Sequence, residues 1–272
     1  KLNVELGLGI QCSYCGNKNM ENIMSTKPSV TISSFPTAKI PLFSKKHAYK
    51  KRGKIINKKV WSNTPSGDYG SIENAALSYF KNLGFDGWND EGYWINQTMR
   101  SAILTGIGTT KEYLEFANNH KQRFPTDPRN YYAQGLLWAA YSEELTMNHG
   151  ELIDKIRCTE KKDILNFIEN DAIGKRFHAS PTMTPDDKKL YQIFLQILDM
   201  EFIAKIASKQ VETQDYAGFP DLTLWDAAGL KLVEVKSPTD RLSQNQKGTF
   251  ANVLTPIGAR FEIARIIETE CV

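Results

Sequence analysis

Apolar residues recur at helical spacing in residues 71–83, where Ile72, Ala75, Ala76, Tyr79, Phe80 and Leu83 share one stripe. The pattern predicts a helix with one buried face, ended by Gly84 as its C′ residue. Glu73 borders that stripe, so its carboxylate can point along the core boundary. From residue 91 to about 210 the spacing stays mostly helical, with candidate helices at 111–119, 131–148, 161–170 and 186–209. The last of these carries Leu190, Phe194, Ile197, Leu198 and Ile203 on a broad apolar face. The period then changes. Residues 219–226 and 230–236 alternate as strands, and the short turn 227–229 makes them a hairpin. Residues 243–254 read as a helix whose Ser243 and Gln246 have capping-box spacing, and 259–267 as a further strand. Ahead of all this, residues 1–70 read as an irregular arm with β-like runs at 29–34 and 54–61, tied on by a turn-rich link at 63–70. The order of elements predicts an α/β fold: a small mixed sheet flanked by helices, with a helical insertion at about 93–210 and chemistry at one sheet edge.

Composition refines this picture in one place. The 272 residues are 41% hydrophobic and 24% charged, with a net charge of only +3, so bulk charge does not call for a nucleic-acid partner. Yet residues 22–67 contain no Asp or Glu and ten Lys or Arg, eight of them between Lys45 and Lys59. Two readings stand: a solvated basic arm or localisation signal, and an electrostatic track for phosphates. On the second, Lys50, Lys51, Arg52 and Lys54 are the candidate DNA contacts, with Tyr49 and Trp61 as stacking surface. No apolar run approaches the roughly 20 residues that span a bilayer, and no signal peptide is visible. The chain starts at Lys1 rather than Met, which reads as a start that is processed, trimmed or cut from a longer protein. Cys12 and Cys15 form a single Cys-x-x-Cys pair, with Cys158 and Cys271 alone; buried thiols in a reducing compartment are favoured over a zinc half-site.

The chemistry is concentrated in the hairpin. Pro220-Asp221 opens its first strand and Glu234-Val235-Lys236 closes its second. Residues two apart on a strand share a face, so Glu234 and Lys236 point the same way, and Asp221 can reach them from the neighbouring strand. Leu232, Val233 and Val235 mark a buried strand, where charges are costly unless they bind something or each other. Two carboxylates can hold a hard cation, and an ammonium beside them can orient a water or steady a phosphate. Glu73 could add a ligand from its helix.

Gly218-Phe219-Pro220-Asp221-Leu222, Leu232-Val233-Glu234-Val235-Lys236-Ser237-Pro238, and Asp240-Arg241-Leu242-Ser243 with Gln246 resemble the VRR-NUC domain, a nuclease module of the PD-(D/E)XK superfamily. Upstream, Ser71-Ile72-Glu73-Asn74-Ala75-Ala76-Leu77, Gly84 and Asp90-Glu91-Gly92 resemble the start of the catalytic region of the Fanconi-associated nucleases. The resemblance implies a restriction-endonuclease-like core spanning 71–272 behind a basic arm at 1–70. It implies Asp221, Glu234 and Lys236 as the catalytic set, and Glu73, Asp221, Glu234 and the Val235 carbonyl as ligands of Mg2+ or Mn2+. It places Arg241 at a phosphate and Gln246 near the site. It implies a structure-selective DNA nuclease acting on branched, flapped or single-stranded DNA, with 5′-to-3′ exonuclease character. Repair or replication is the setting, repair proteins are partners, no membrane is involved, and the location is intracellular, in nucleus, nucleoid or cytoplasm. The long insertion between Glu73 and Asp221 resembles the larger monomeric members. Two other classes compete: a DNA-binding module or scaffold with a decayed site, and a restriction or defence nuclease. Neither a Gly-rich phosphate loop, a Gly-x-Ser-x-Gly elbow nor a His-Glu-x-x-His motif is present, and His178 reads as an ordinary histidine.

Overall fold

The computed structural model describes residues 35–105, 149–170, 185–213, 215 and 217–269, together with 115, 118, 119, 122 and 125. A long hairpin opens it, β1 (Thr37–Lys51) and β2 (Lys54–Ser62), turning at Arg52 and Gly53, both with positive φ. The expected irregular arm is therefore, over its described part, two strands of the central sheet; the 29–34 run lies outside the described residues. The β-like run expected at 54–61 is β2; β1 is the strand that the sequence conceals, because its lysines lie on both faces and hide the alternation.

Helix α1 (Ile72–Asn82) follows, and Ser71 caps it by accepting a hydrogen bond from the Asn74 N–H at 3.1 Å. Its Ala75, Ala76 and Phe80 are buried, as the stripe predicts. A short strand β3 (Asp86–Asn89) leads to α2 (Tyr93–Leu104), then α3 (His149–Cys158), α4 (Lys161–Asn170), α5 (Pro185–Ile197) and α6 (Met200–Thr213). The helix expected at 131–148 falls outside the described residues, as does most of 111–119. The single helix expected at 186–209 is two. Asp199 breaks it: its side chain accepts from the Glu201 N–H at 2.9 Å and so starts α6 in a new direction. No described helix is long and apolar enough to cross a membrane.

The chain then forms β4 (Leu222–Asp226), β5 (Gly229–Lys236), a short helix α7 (Gln244–Gly248), a π-helical turn (Thr249–Leu254) and β6 (Phe261–Thr269). The six strands make one mixed sheet in the order β2-β1-β6-β5-β4-β3, with β6 parallel to both β1 and β5. Strand β3 pairs outside β4, so the Asp221–Lys236 region lies inside the sheet rather than at its edge. Four residues are too few for alternation to show, which hides β3 in the sequence.

Alternate residues feed two cores. Leu222, Leu224, Val233, Val235, Ala264 and Ile266 face α1, with Ile40, Leu42 and Phe80. Trp225, Leu232, Phe261 and Ile263 face the opposite layer, with Ile95, Met99, Ile203 and Phe250. The period of two therefore sends Glu234 to the second face, toward α7, while its neighbours Val233 and Val235 anchor the first. Of the thiols, Cys158 is free and exposed, not buried as expected; Cys12, Cys15, Cys271 and His178 lie outside the described residues.

Candidate active site

Strand register brings the hairpin charges together. β4 pairs with β5 from Asp226↔Gly229 to Leu222↔Val233, so Asp221 sits one step past the last pair, level with Glu234. Its Oδ2 accepts the Val235 N–H at 2.7 Å, in the place a further β4 residue would fill. On a strand the N–H and C=O of one residue point to the same side. The Val235 carbonyl therefore also faces the Asp221 side, beyond the end of the β4 ladder. Asp221 is itself held from behind: the N–H groups of Asp90 and Glu91 donate to its carbonyl at 2.9 and 3.1 Å.

Glu234 has no exposed surface. Its Oε1 accepts from Lys236 Nζ at 2.6 Å and from Gln246 Nε2 at 2.5 Å. Its Oε2 is buried with no hydrogen-bond partner. A proton held on Glu234 has the nearby Asp221 carboxylate as its acceptor, whereas two ionised carboxylates here would have no proton to share. Burial first, then the charge of Asp221, pushes Glu234 up from the ordinary 4.5 to about 8, against the pull of Lys236. Asp221 is raised too, by burial, with the Val235 N–H and Lys236 opposing and Glu73 and Glu91 adding to the rise.

Gln246 has a second task. Its Oε1 accepts the Ser243 N–H at 2.9 Å while its own N–H bonds Ser243 Oγ at 3.2 Å, completing the expected capping box. The residue that starts α7 thus also clamps Glu234. Gly218 lets α7 come this close. A Cβ there would lie 2.5 Å from the Asn245 carbonyl carbon and 2.6 Å from the Gln246 nitrogen, at φ +85°. Gly218→Ala is expected to cost about 1–3 kcal/mol in strain and clash, displace Gln246 and lower the site's activity. Gly229→Ala, also at positive φ (+100°) but in open space, is expected to lower stability alone. Thermal melts and cleavage rates of the two variants check this.

Glu73 is half-buried in the first turn of α1, on the other layer. It is near enough to raise Asp221, but among the described residues no three His, Cys, Asp or Glu side chains gather closely enough to hold one ion. The expected convergence of three acids is thus a close Asp221–Glu234 pair with Glu73 standing off. Arg241 is exposed on the loop before α7. Lys50, Lys51, Arg52 and Lys54 are far along the hairpin at its turn, exposed.

Two braces escaped the sequence reading. Asp90 is a buried carboxyl, raised by burial to about 6, whose Oδ2 accepts the Trp94 N–H at 3.0 Å in the first turn of α2. Asp-Glu-Gly ahead of Tyr93-Trp94-Ile95 is a helix-start pattern that could have flagged it. Arg265 on β6 donates to the carbonyls of Ser237 (3.2 Å) and Asp240 (2.6 Å), pinning the loop after Lys236; a lone arginine on a strand gives no such signal.

Residues 160–266 match the family model described as the VRR-NUC domain, a stretch that contains Asp221, Glu234, Lys236, Arg241 and Gln246. No curated protein matches the chain. Among solved structures, it is similar to paFAN1 bound to 2-nucleotide 5′-flap DNA with a gap, at 16% identity and a TM-score of 0.48, over 89% of this chain and 39% of that one. It is also similar to paFAN1 bound to 1-nucleotide 5′-flap DNA with a gap, at 18% identity and a TM-score of 0.41, over 75% and 36%. The chain thus spans well under half the length of those proteins. The described residues form an α/β fold around one mixed sheet, and residues 160–266 of the chain are similar to the VRR-NUC domain.

Proposed function

We propose that this chain is a divalent-metal-dependent nuclease that hydrolyses DNA phosphodiester bonds, with flapped or branched DNA as its substrate and repair or replication as its setting. One observation carries the reading: a fully buried carboxylate, Glu234, has one oxygen clamped by Lys236 and Gln246 and the other left without a donor beside Asp221. Such a group is costly to keep ionised unless a cation completes it. The donor set is all oxygen, the Asp221 and Glu234 carboxylates and the Val235 carbonyl, which suits Mg2+ or Mn2+ rather than a soft metal. Glu73 is the further carboxylate at hand on α1. A bound divalent ion supplies a water of lowered pKa and positive charge against the phosphate oxygens.

The chain's own groups do the rest. Lys236, 13% exposed, reaches from Glu234 toward solvent and can donate to the attacking water or a phosphate oxygen. Gln246 fixes the Glu234 rotamer, and the Asp90–Glu91 turn fixes Asp221. Arg241 is exposed on the loop before α7, and on this reading it contacts a substrate phosphate. A preference for 5′-flap DNA, the DNA bound in the paFAN1 structures, and 5′-to-3′ polarity are part of this proposal.

The test uses end-labelled flap, junction, single-stranded and duplex DNAs with Mg2+ or Mn2+. The protein is expected to cut branched forms fastest, and Asp221→Asn, which keeps an acceptor for the Val235 N–H, to cut about 10³-fold more slowly. Binding without cleavage under every divalent ion would instead point to a decayed DNA-binding module. Preferential cutting of plain duplex at fixed sequences would point to a defence nuclease.

A further inference from the structure

The β1–β2 hairpin runs on past the sheet. β1 pairs with β6 only over Thr37–Phe43, whereas β2 stays paired to β1 from Phe43↔Ser62 to Lys51↔Lys54. Through Arg265, Lys39 lies level with Lys236, and β1 runs parallel to β5 across β6. The free ribbon therefore leaves from the same end of the sheet as the candidate site. At about 3.3 Å per residue, a straight strand carries Lys45 roughly 20 Å and Lys51 roughly 40 Å beyond that level.

Residues 45–59 are exposed throughout. The register sets basic residues directly opposite one another: Lys46↔Lys59, His47↔Lys58 and Lys51↔Lys54. Like charges facing across a strand pair destabilise it. Lys59 is relieved by Glu268 at 2.7 Å, from β6, but among the described residues no carboxylate pairs with Lys46, Lys50, Lys51, Arg52, Lys54 or Lys58. Scattered lysines suffice to keep an edge strand from adding another strand; lysine opposite lysine is not needed for that. Between these pairs the Tyr49↔Ile56 pair leaves both side chains partly exposed, an apolar strip between cations. A two-stranded ribbon of this width fits the major groove of a duplex.

We propose that the hairpin is a docking ribbon for duplex DNA, which holds the double-stranded arm leading away from the site and sets how much duplex the protein needs. The inference rests on the DNA-nuclease reading for the identity of the polyanion, but its test does not require cleavage. A reach of roughly 40 Å corresponds to about 12 base pairs at 3.4 Å each.

The experiment measures fluorescence anisotropy of flap DNAs whose duplex arm is 6, 12 or 18 base pairs, in EDTA, over a salt series. Wild-type affinity is expected to rise from 6 to 12 base pairs and then level off. A Lys50→Ala/Lys51→Ala/Arg52→Ala/Lys54→Ala variant is expected to bind the 12-base-pair arm about 10-fold or more weakly, with a log–log salt slope shallower by about 3. It should differ little on the 6-base-pair arm. Its melting temperature should not fall, because a like-charge pair is gone. A Lys50→Arg/Lys51→Arg/Lys54→Arg variant, which keeps the charge, should bind as wild type does. Equal affinity and salt slope in wild type and the alanine variant would overturn the proposal, as would a loss that is the same at every arm length. Binding through the hairpin with no cleavage by wild type would retain the ribbon and reject the nuclease.

Discussion

Glu234→Gln is expected to stop cleavage while making the metal-free protein harder to melt at alkaline pH. The two effects share one cause. In the folded protein Glu234 holds its proton up to about pH 8, against 4.5 ordinarily, because burial and the Asp221 charge disfavour its ionised form. Between those values the folded state binds more protons than the unfolded one, so stability falls as pH rises from 4.5 through 8 and is lowest above it. Glutamine keeps the shape, leaves an oxygen for Lys236 and Gln246, and in place of Oε2 puts an NH2 that can donate to the Asp221 carboxylate. The pH-linked loss attributable to residue 234 should then vanish. Asp90, raised to about 6, contributes a similar slope from 3.8 to 6 in both proteins, so the comparison is read above pH 6. Activity should drop about 10³-fold or more, since an amide is a poor ligand for a hard cation and brings no charge. Melting curves in EDTA from pH 6 to 9, with cleavage assays beside them, decide it. A variant that melts below wild type at pH 9, or that still cuts, would remove Glu234 from the centre of the site.

How much of this was open to sequence reading depends on the length scale of the signal. The α1 stripe, the β4–β5 hairpin and the Ser243–Gln246 cap are local patterns, and each is present with bounds shifted by a few residues. Glu234 beside Lys236 follows from a period of two, and Asp221 opposite Glu234 from a short turn. What needed coordinates is set by residues distant in the chain. The role of Arg265 depends on the parallel β5–β6 register, which no local pattern reveals. Of the basic segment, 54–61 shows its strand character locally and is β2, but the lysines of β1 occupy both faces and erase alternation; that strand enters the sheet by pairing with β6, more than two hundred residues on. The break at Asp199 was missed because apolar spacing continues across it, although an aspartate two residues before Glu201 is a competent helix start. Glu73 shows the limit in the other direction: its spacing places it on α1, but how near it comes to Asp221 and Glu234 is set by the packing of α1 on the sheet, which no local pattern reveals.

Lys236→Met should be the most informative lesion, because its stability cost depends on pH and can be cancelled by a second change. The methionine fills the space of the lysine stem but leaves Glu234 buried with Gln246 as its remaining partner. Lys236 holds the Glu234 pKa down, so its loss raises that pKa further and extends the fall of stability with pH toward the alkaline side. Near pH 6 the carboxyl can stay protonated and the variant should melt close to wild type. Near pH 9, one unit above the Glu234 value, the variant keeps a proton that wild type has begun to lose, and linkage sets the extra cost at up to about 1.4 kcal/mol, growing by as much again for each further pH unit. Glu234→Gln/Lys236→Met removes the charge as well as its partner and should recover most of that loss. The two sites then show a favourable coupling at pH 9 that shrinks at pH 6. Cleavage should not recover: the ammonium's part in orienting water or steadying the phosphate is worth about 10²–10³-fold, and the double variant lacks the carboxylate too. A destabilisation of the single variant that is equal at both pH values would mean that Lys236 matters for packing rather than for the charge of Glu234, and undiminished cleavage would take it out of the chemistry.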